Sequence, residues 1–240
     1  MTMDASRDLA ENLAFVQNQI AQSCARSGRS PTGVTIVAIT KTFPPAYISN
    51  ACALGLIHIG ENRVQEIIEK FSDGRLARGC PDLQLHLVGH LQTNKARKAL
   101  QYTATVDSVD SSNLAELISR VAGESDKIVR ILLEVNTSGE PQKFGVMPGH
   151  VIEIAENILM LPHLRLAGLM TVGPNISEES AIRRSFAVLR ESYERVGKTL
   201  SPPHWSVLSM GMSGDYPIAV EEGATEIRLG TALFGARSYP

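Results

Sequence analysis

Val34-Thr35-Ile36-Val37-Ala38-Ile39-Thr40-Lys41 is a β-branched, almost wholly apolar run that ends on an amine. Apolar on both alternating faces, it reads as a strand covered on both sides, and such strands belong to parallel α/β sheets. Upstream, Leu9, Leu13, Val16, Ile20 and Cys24 recur at helical spacing and predict a helix from Asp4 to Ser27, ended by Gly28. Downstream, Pro44-Pro45 open a helix with Ile48 and Cys52 inward, and Leu56 to Ile59 is the next strand. Val64, Ile67, Ile68 and Phe71 then share a helical face. Further strands are expected at Leu83–Val88, Ala104–Val106, Ile128–Val135, Leu164–Met170, Trp205–Leu208 and Ile227–Leu229. Ser111 or Ser112 caps a helix burying Leu114, Leu117 and Ile118, and Ile182, Phe186, Leu189, Tyr193 and Val196 mark a long one. Strands separated throughout by helices favour a closed (β/α)8 TIM barrel over an open doubly wound sheet. The expected α/β architecture is one barrel domain over residues 1–240 with an extra N-terminal helix.

Composition narrows the function. The 240 residues match one barrel, typically roughly 250 residues. A net charge of -2 gives no global attraction to nucleic acid or acidic membranes. The basic stretch Asn94-Lys95-Ala96-Arg97-Lys98 lacks interleaved aromatics and reads as a solvated face, so nucleic-acid binding is rejected. No run approaches the roughly 18 apolar residues of a spanning helix, and no leader pattern opens the chain. Cys24, Cys52 and Cys80 are odd in number and widely spaced, which argues against a disulfide framework and for a reducing cytoplasm. His86 and His90 lie on a strand and its turn without an HExxH pattern, so no metal site is expected.

Lys41 is the leading site candidate, because an amine at a barrel strand's C-terminal end can form an imine with an aldehyde. Taken alone, it reads more readily as a solvated strand-exit lysine, and it is the other motifs that reverse this. Ser213 follows the seventh strand, while Gly230 and Thr231 follow the eighth, where barrels commonly hold phosphate. The same small residues also suit tight turns. Arg228 shares a strand face with Gly230, or pairs with Glu226. Asn62 either hydrogen-bonds a ligand or caps the following helix, and Met212 offers a polarizable packing surface. The loop Ser138 to Met147 is long enough to be a lid.

Five separated segments carry a resemblance. They are Ala38-Ile39-Thr40-Lys41-Thr42, Ile59-Gly60-Glu61-Asn62-Arg63-Val64-Gln65-Glu66, Val88-Gly89-His90-Leu91-Gln92-Thr93-Asn94-Lys95, Ser209-Met210-Gly211-Met212-Ser213 and Arg228-Leu229-Gly230-Thr231. In this order, and with Phe234-Gly235-Ala236-Arg237 after them, they resemble the pyridoxal phosphate homeostasis proteins. The resemblance implies a fold type III barrel, like the N-terminal domain of alanine racemases, that binds pyridoxal 5'-phosphate as an aldimine on Lys41. It places Arg228 opposite the pyridine nitrogen, where a permanent cation disfavours protonation and with it transaminase chemistry. It gives Asn62 the ring hydroxyl or a neighbouring side chain, and Met212 the ring face.

The implied role is a carrier and buffer of pyridoxal phosphate in vitamin B6 and amino-acid homeostasis, without a dedicated turnover reaction. Apoenzymes that use the cofactor are the implied recipients, and a monomer is expected because the racemases' C-terminal β domain has no counterpart after the eighth strand. The rival is a racemase or lyase, in which Tyr102, Tyr216 or His90 supplies the second acid–base group that Lys41 alone does not. A third reading is a barrel that binds another phosphate ester with no imine. Phe43 stands where many members carry a second lysine, which leaves Lys143 as an alternative acceptor.

Overall fold

The computed structural model describes residues 3–236, with side chains from residue 8 onward, so Arg237 of the last motif lies outside them. Helix α1 (Met3–Arg26) leads into β1 (Thr35–Ile39), α2 (Pro45–Ala53), β2 (His58–Glu61), α3 (Val64–Phe71) and α4 (Arg75–Gly79). Then come β3 (Gln84–Leu87), α5 (Ala96–Ala99), β4 (Thr105–Val109), α6 (Ser112–Gly123) and β5 (Val129–Glu134). Helix α7 (Val151–Leu159), β6 (Leu164–Met170), α8 (Glu179–Leu200), β7 (Val207–Ser209), α9 (Tyr216–Glu221), β8 (Glu226–Leu229) and α10 (Thr231–Phe234) complete the order. The strands pair in parallel from β1 to β8 around a closed barrel, and β8 returns to β1 with Val37 opposite Arg228. This is the predicted (β/α)8 barrel with its extra helix.

Alternation along the strands explains where the core sits. The outward residues Ala38, Ile59, Leu87, Ile131, Leu169 and Leu229 join Ile48, Ile67, Ile118 and Phe186 of the helices in one large cluster. Inside the barrel, Leu132, Ala167 and Met170 form a small separate cluster with Val207. The remaining lumen is charged: Arg130 of β5 reaches across to Glu226 of β8 at 3.1 Å, a distance that only a path through the barrel interior spans. Hydrophobic stabilisation, about 2 kcal/mol for each large side chain removed from water, therefore comes chiefly from the layer between strands and helices.

The expected inward face of α1 is buried, and the helix packs on α9 and α10. Gly28, at φ +66, turns the chain so that the Arg29 N–H donates to the Cys24 carbonyl at 2.8 Å. Arg29 then donates to the carbonyls of Val220 and Ala224, and Asn12 to that of Leu233. The helix spans the seam where β1 meets β8.

One expectation is corrected. Cys52 and Cys80 form a disulfide, with Cα atoms 6.2 Å apart, and Cys24 is the free, buried thiol. Their spacing of 28 residues hid the pair, because α2 and the end of α4 bring together positions that sequence spacing alone leaves unrelated. Closing such a loop stabilises a fold by about 3–4 kcal/mol in the chain-entropy account. Unfolding in denaturant with and without dithiothreitol is expected to show a loss of that order on reduction. An unchanged midpoint would mean that the bond contributes nothing to the folded chain.

Candidate functional site

Lys41 leaves β1 at the C-terminal end of the barrel, where a cavity of about 360 Å³ opens, within the range of small-molecule sites. Lys41, Asn62, Met212, Ser213, Arg228, Gly230 and Thr231 all line it, together with Ile39, Val88, Val172 and Gly214. All seven sequence candidates thus meet in one place. The β1–β8 pairing is the reason: it sets the turn after Ile39 beside the turn after Leu229.

Each wall has a local cause. The loop after β7 is shaped by Asp215, whose carboxylate accepts the Met212 N–H at 2.5 Å while the Met212 carbonyl accepts from Asp215 and Tyr216. This turn presents Met212 and Ser213 to the cavity. Ser213 Oγ accepts the N–H groups of Gly230 and Ala232 at 3.2 and 3.1 Å, tying the last two loops together. With its lone pairs engaged, its own O–H is left to donate, which suits an anionic oxygen. Asn62 does not cap α3, whose N-cap is Arg63.

Arg228 is buried and donates to Ser209 Oγ and the Thr171 carbonyl, both at 2.6 Å. Glu226 is engaged by Arg130 instead, so the alternative Arg228–Glu226 bridge is replaced by these two bonds. Burial pulls the Arg228 pKa down, while Glu226, Asp107, Glu134 and Asp215 work against it. The guanidinium stands as a fixed cation at the cavity floor.

Glu134, at the end of β5, is buried, and its pKa is pushed up to about 7, first by burial and then by Asp110, with Arg228 opposing. Between the ordinary value of 4.5 and about 7 the folded chain holds a proton that the unfolded chain has lost. Stability therefore falls as pH rises through that window, by about 3 kcal/mol. Glu134→Gln, which cannot ionise, is expected to lack this fall. Urea midpoints measured at about pH 5 and about pH 8 check it, and parallel pH dependence in both proteins would refute the assignment.

The residues named for the racemase reading lie elsewhere. Neither Tyr102, Tyr216 nor His90 lines the cavity. Tyr102 packs outside the strands near Cys80, and Tyr216 belongs to the large core. His90 stacks on Phe144 with ring centroids 3.9 Å apart and pairs with Asp110 at 3.2 Å. Lys143 is also outside, held by Glu140 and the Gly173 carbonyl. The 138–147 loop is fastened back onto the end of β5, where Val146 and Asn136 exchange backbone bonds with Glu134 and Val146, and it contributes nothing to the lining. Phe43 packs with tilted rings against Tyr47 and Phe234.

A second cavity of about 300 Å³ lies at the N-terminal end of the strands, lined by His58, Gln84, His86, Arg130 and Glu226 among others. Its charges already serve one another. His86 bonds to Asp107 at 2.7 Å, and Arg130 bridges Asp107 and Glu226 at 3.3 and 3.1 Å. Burial disfavours the charged His86 ring, but Asp107 outweighs it and raises the pKa; burial and then the His86 charge push His58 down to about 4. His86, Asp107 and Glu226 lie close enough to share a cation, and the Arg130 guanidinium already fills that role. In barrels this end ordinarily serves stability, and the C-terminal end is the one that carries chemistry.

Sequence reading missed Glu61, Glu66 and Lys70 behind Lys41. Lys70 Nζ is 2.7 Å from Glu61 Oε1 and 3.3 Å from Glu66 Oε2. The spacing of Glu66 and Lys70, four apart on a helix, was the available signal.

The family model described as alanine racemase, N-terminal domain, matches residues 11–238. A pyridoxal phosphate homeostasis protein of Aquifex aeolicus is 38% identical over 231 residues, covering 95% of this chain and 98% of the relative. That of Escherichia coli K12 is 35% identical over 233 residues, covering 97% and 98%. The chain belongs to the pyridoxal phosphate homeostasis protein family. PipY of Synechococcus elongatus, solved with PLP bound, is 37% identical to this family member and superposes with a TM-score of 0.81 over 95% of this chain and 100% of PipY. A crystal structure of a Bifidobacterium adolescentis protein superposes with a TM-score of 0.92 at 38% identity, covering 98% and 97%. Alanine racemase of Clostridium difficile, at 16% identity and a TM-score of 0.70, shares the fold; the match covers 96% of this chain and 57% of the racemase. Among the described residues no helix is long and apolar enough to cross a membrane.

Proposed function

We propose that this chain binds pyridoxal 5'-phosphate and holds it as an imine on Lys41, as a carrier and buffer of the aldehyde in vitamin B6 and amino-acid homeostasis. The observation that carries this reading is the convergence of an amine, a buried guanidinium, two hydroxyls and a glycine on one cavity. The PLP bound to the homologous PipY supports it. Lys41 Nζ would attack the aldehyde carbon, and the carbonyl oxygen would leave with both amine hydrogens as water. Ser213, Gly230 and Thr231 would hold the phosphate, Arg228 would face the ring nitrogen, Asn62 the ring hydroxyl and Met212 the ring face. A carrier of this kind would serve cytoplasmic apoenzymes as a monomer.

The test is the visible spectrum with added pyridoxal phosphate, followed by borohydride reduction and mass mapping of the modified lysine. A yellow band and a label fixed on Lys41 are expected; no band, or label scattered over surface lysines, would defeat the assignment. The racemase or lyase reading predicts α-deuterium incorporation into amino acids in deuterated water at catalytic rates. The carrier reading predicts none, in keeping with the placement of Tyr102, Tyr216 and His90 away from the cavity.

A further inference from the structure

Lys41 lies between two residues that a single charge cluster grips. Before it, Thr40 gives its carbonyl to Lys70 Nζ at 2.8 Å and donates its hydroxyl to Glu61 Oε1 at 2.6 Å. After it, the Thr42 N–H donates to Glu66 Oε2 at 2.6 Å. Lys70 joins the two carboxylates, so both flanks of Lys41 are fixed to the same unit. Thr42 is held at φ +68, a conformation that a residue with a Cβ rarely adopts without outside support. Glu61 and Lys70 are buried, at 0% and 8% side-chain exposure. A buried ion pair is seldom a net source of stability; what it can supply is one fixed geometry. Here that geometry surrounds one amine.

We propose that Glu61, Lys70 and Glu66 are positioning residues that fix the backbone on both sides of Lys41 and so aim its Nζ into the cavity. This rests on the reading of Lys41 as the imine-forming amine. The phosphate end is independent of the cluster, because Ser213 and Asp215 tie the loops after β7 and β8 to each other. The cluster is therefore expected to govern how fast the imine forms and at what pH, and to leave phosphate affinity unchanged.

Two variants separate this from a general structural role. The double substitution Glu61→Met with Lys70→Met replaces the pair by apolar side chains of similar length, an exchange that folds often tolerate. Glu66→Ala removes the Thr42 acceptor, whereas Glu66→Gln keeps one and is the rescue. With melting curves confirming the fold, borohydride trapping on Lys41 is expected to slow about tenfold or more in the double variant and in Glu66→Ala. The pH midpoint of the imine band should shift, inorganic phosphate affinity should stay, and Glu66→Gln should recover most of the rate. Folded variants that trap the imine at the wild-type rate with the wild-type pH midpoint would overturn the proposal. If the wild-type chain forms no Lys41 imine at all, the functional reading fails instead. Hydrogen exchange over residues 40–43 of the ligand-free chain then decides the clamp: protection lost in Glu66→Ala supports it, and unchanged protection overturns it.

Discussion

Lys41→Arg is expected to abolish the covalent adduct completely while leaving a folded barrel that still accepts phosphate esters. A guanidinium keeps the positive charge but has no nitrogen that can condense with an aldehyde at neutral pH. The band should vanish, and borohydride should place no label on the turn after β1. Phosphate binding should survive, because Ser213, Gly230 and Thr231 are organised by bonds that do not involve Lys41. If pyridoxal phosphate bound the arginine variant with unchanged affinity and unchanged spectrum, Lys41 would be a simple phosphate cation and the third reading would prevail. Absorbance titration of both proteins distinguishes the cases in one experiment.

Arg228→Met is expected to destabilise the chain by about 3–5 kcal/mol, the cost of removing one partner from a buried charge system. The substitution leaves Ser209 Oγ and the Thr171 carbonyl without their donor. It also removes a cation whose charge couples to Asp107, Glu134, Glu226 and Asp215, although Asp107 and Glu226 keep Arg130. Arg228→Lys keeps the charge but not the two-pronged geometry, and should lie between wild type and Arg228→Met. Urea unfolding of the three proteins at one pH reads the order directly. Equal stabilities would mean that the lumen carboxylates are balanced by other groups.

Much of this was legible from residue order. The βα rhythm follows from apolar runs, Lys41, Ser213, Gly230 and Thr231 read as residues that follow strands, and Arg228 reads as one on a strand face. Strand limits moved where local turns competed. The segment expected to begin at Leu56 starts pairing at His58, because the Leu56 N–H still serves the end of α2 by donating to Ala51. The disulfide and the charged lumen were hidden for a common reason. Their partners meet through barrel closure or helix packing, and nothing in one strand's pattern states what stands across from it. Arg130, Asp107 and Glu226 come from three different strands, and each alone reads as an isolated charge in a buried run. Asp215 and Glu61 were missed because their work is done on backbone N–H groups and on neighbours of the site rather than in its lining.

The pairing of β1 with β8 has a consequence in time. The amine and its neighbouring hydroxyls come from opposite ends of the chain, so no half-finished barrel can present them together. Contacts of such long sequence separation are the slow ones to form. A ligand that needs both ends would recognise only a molecule whose ring has shut, and would hold it shut in proportion to its concentration. Loading would thus certify that folding is complete, and a nascent chain would stay empty until its eighth strand had found its first.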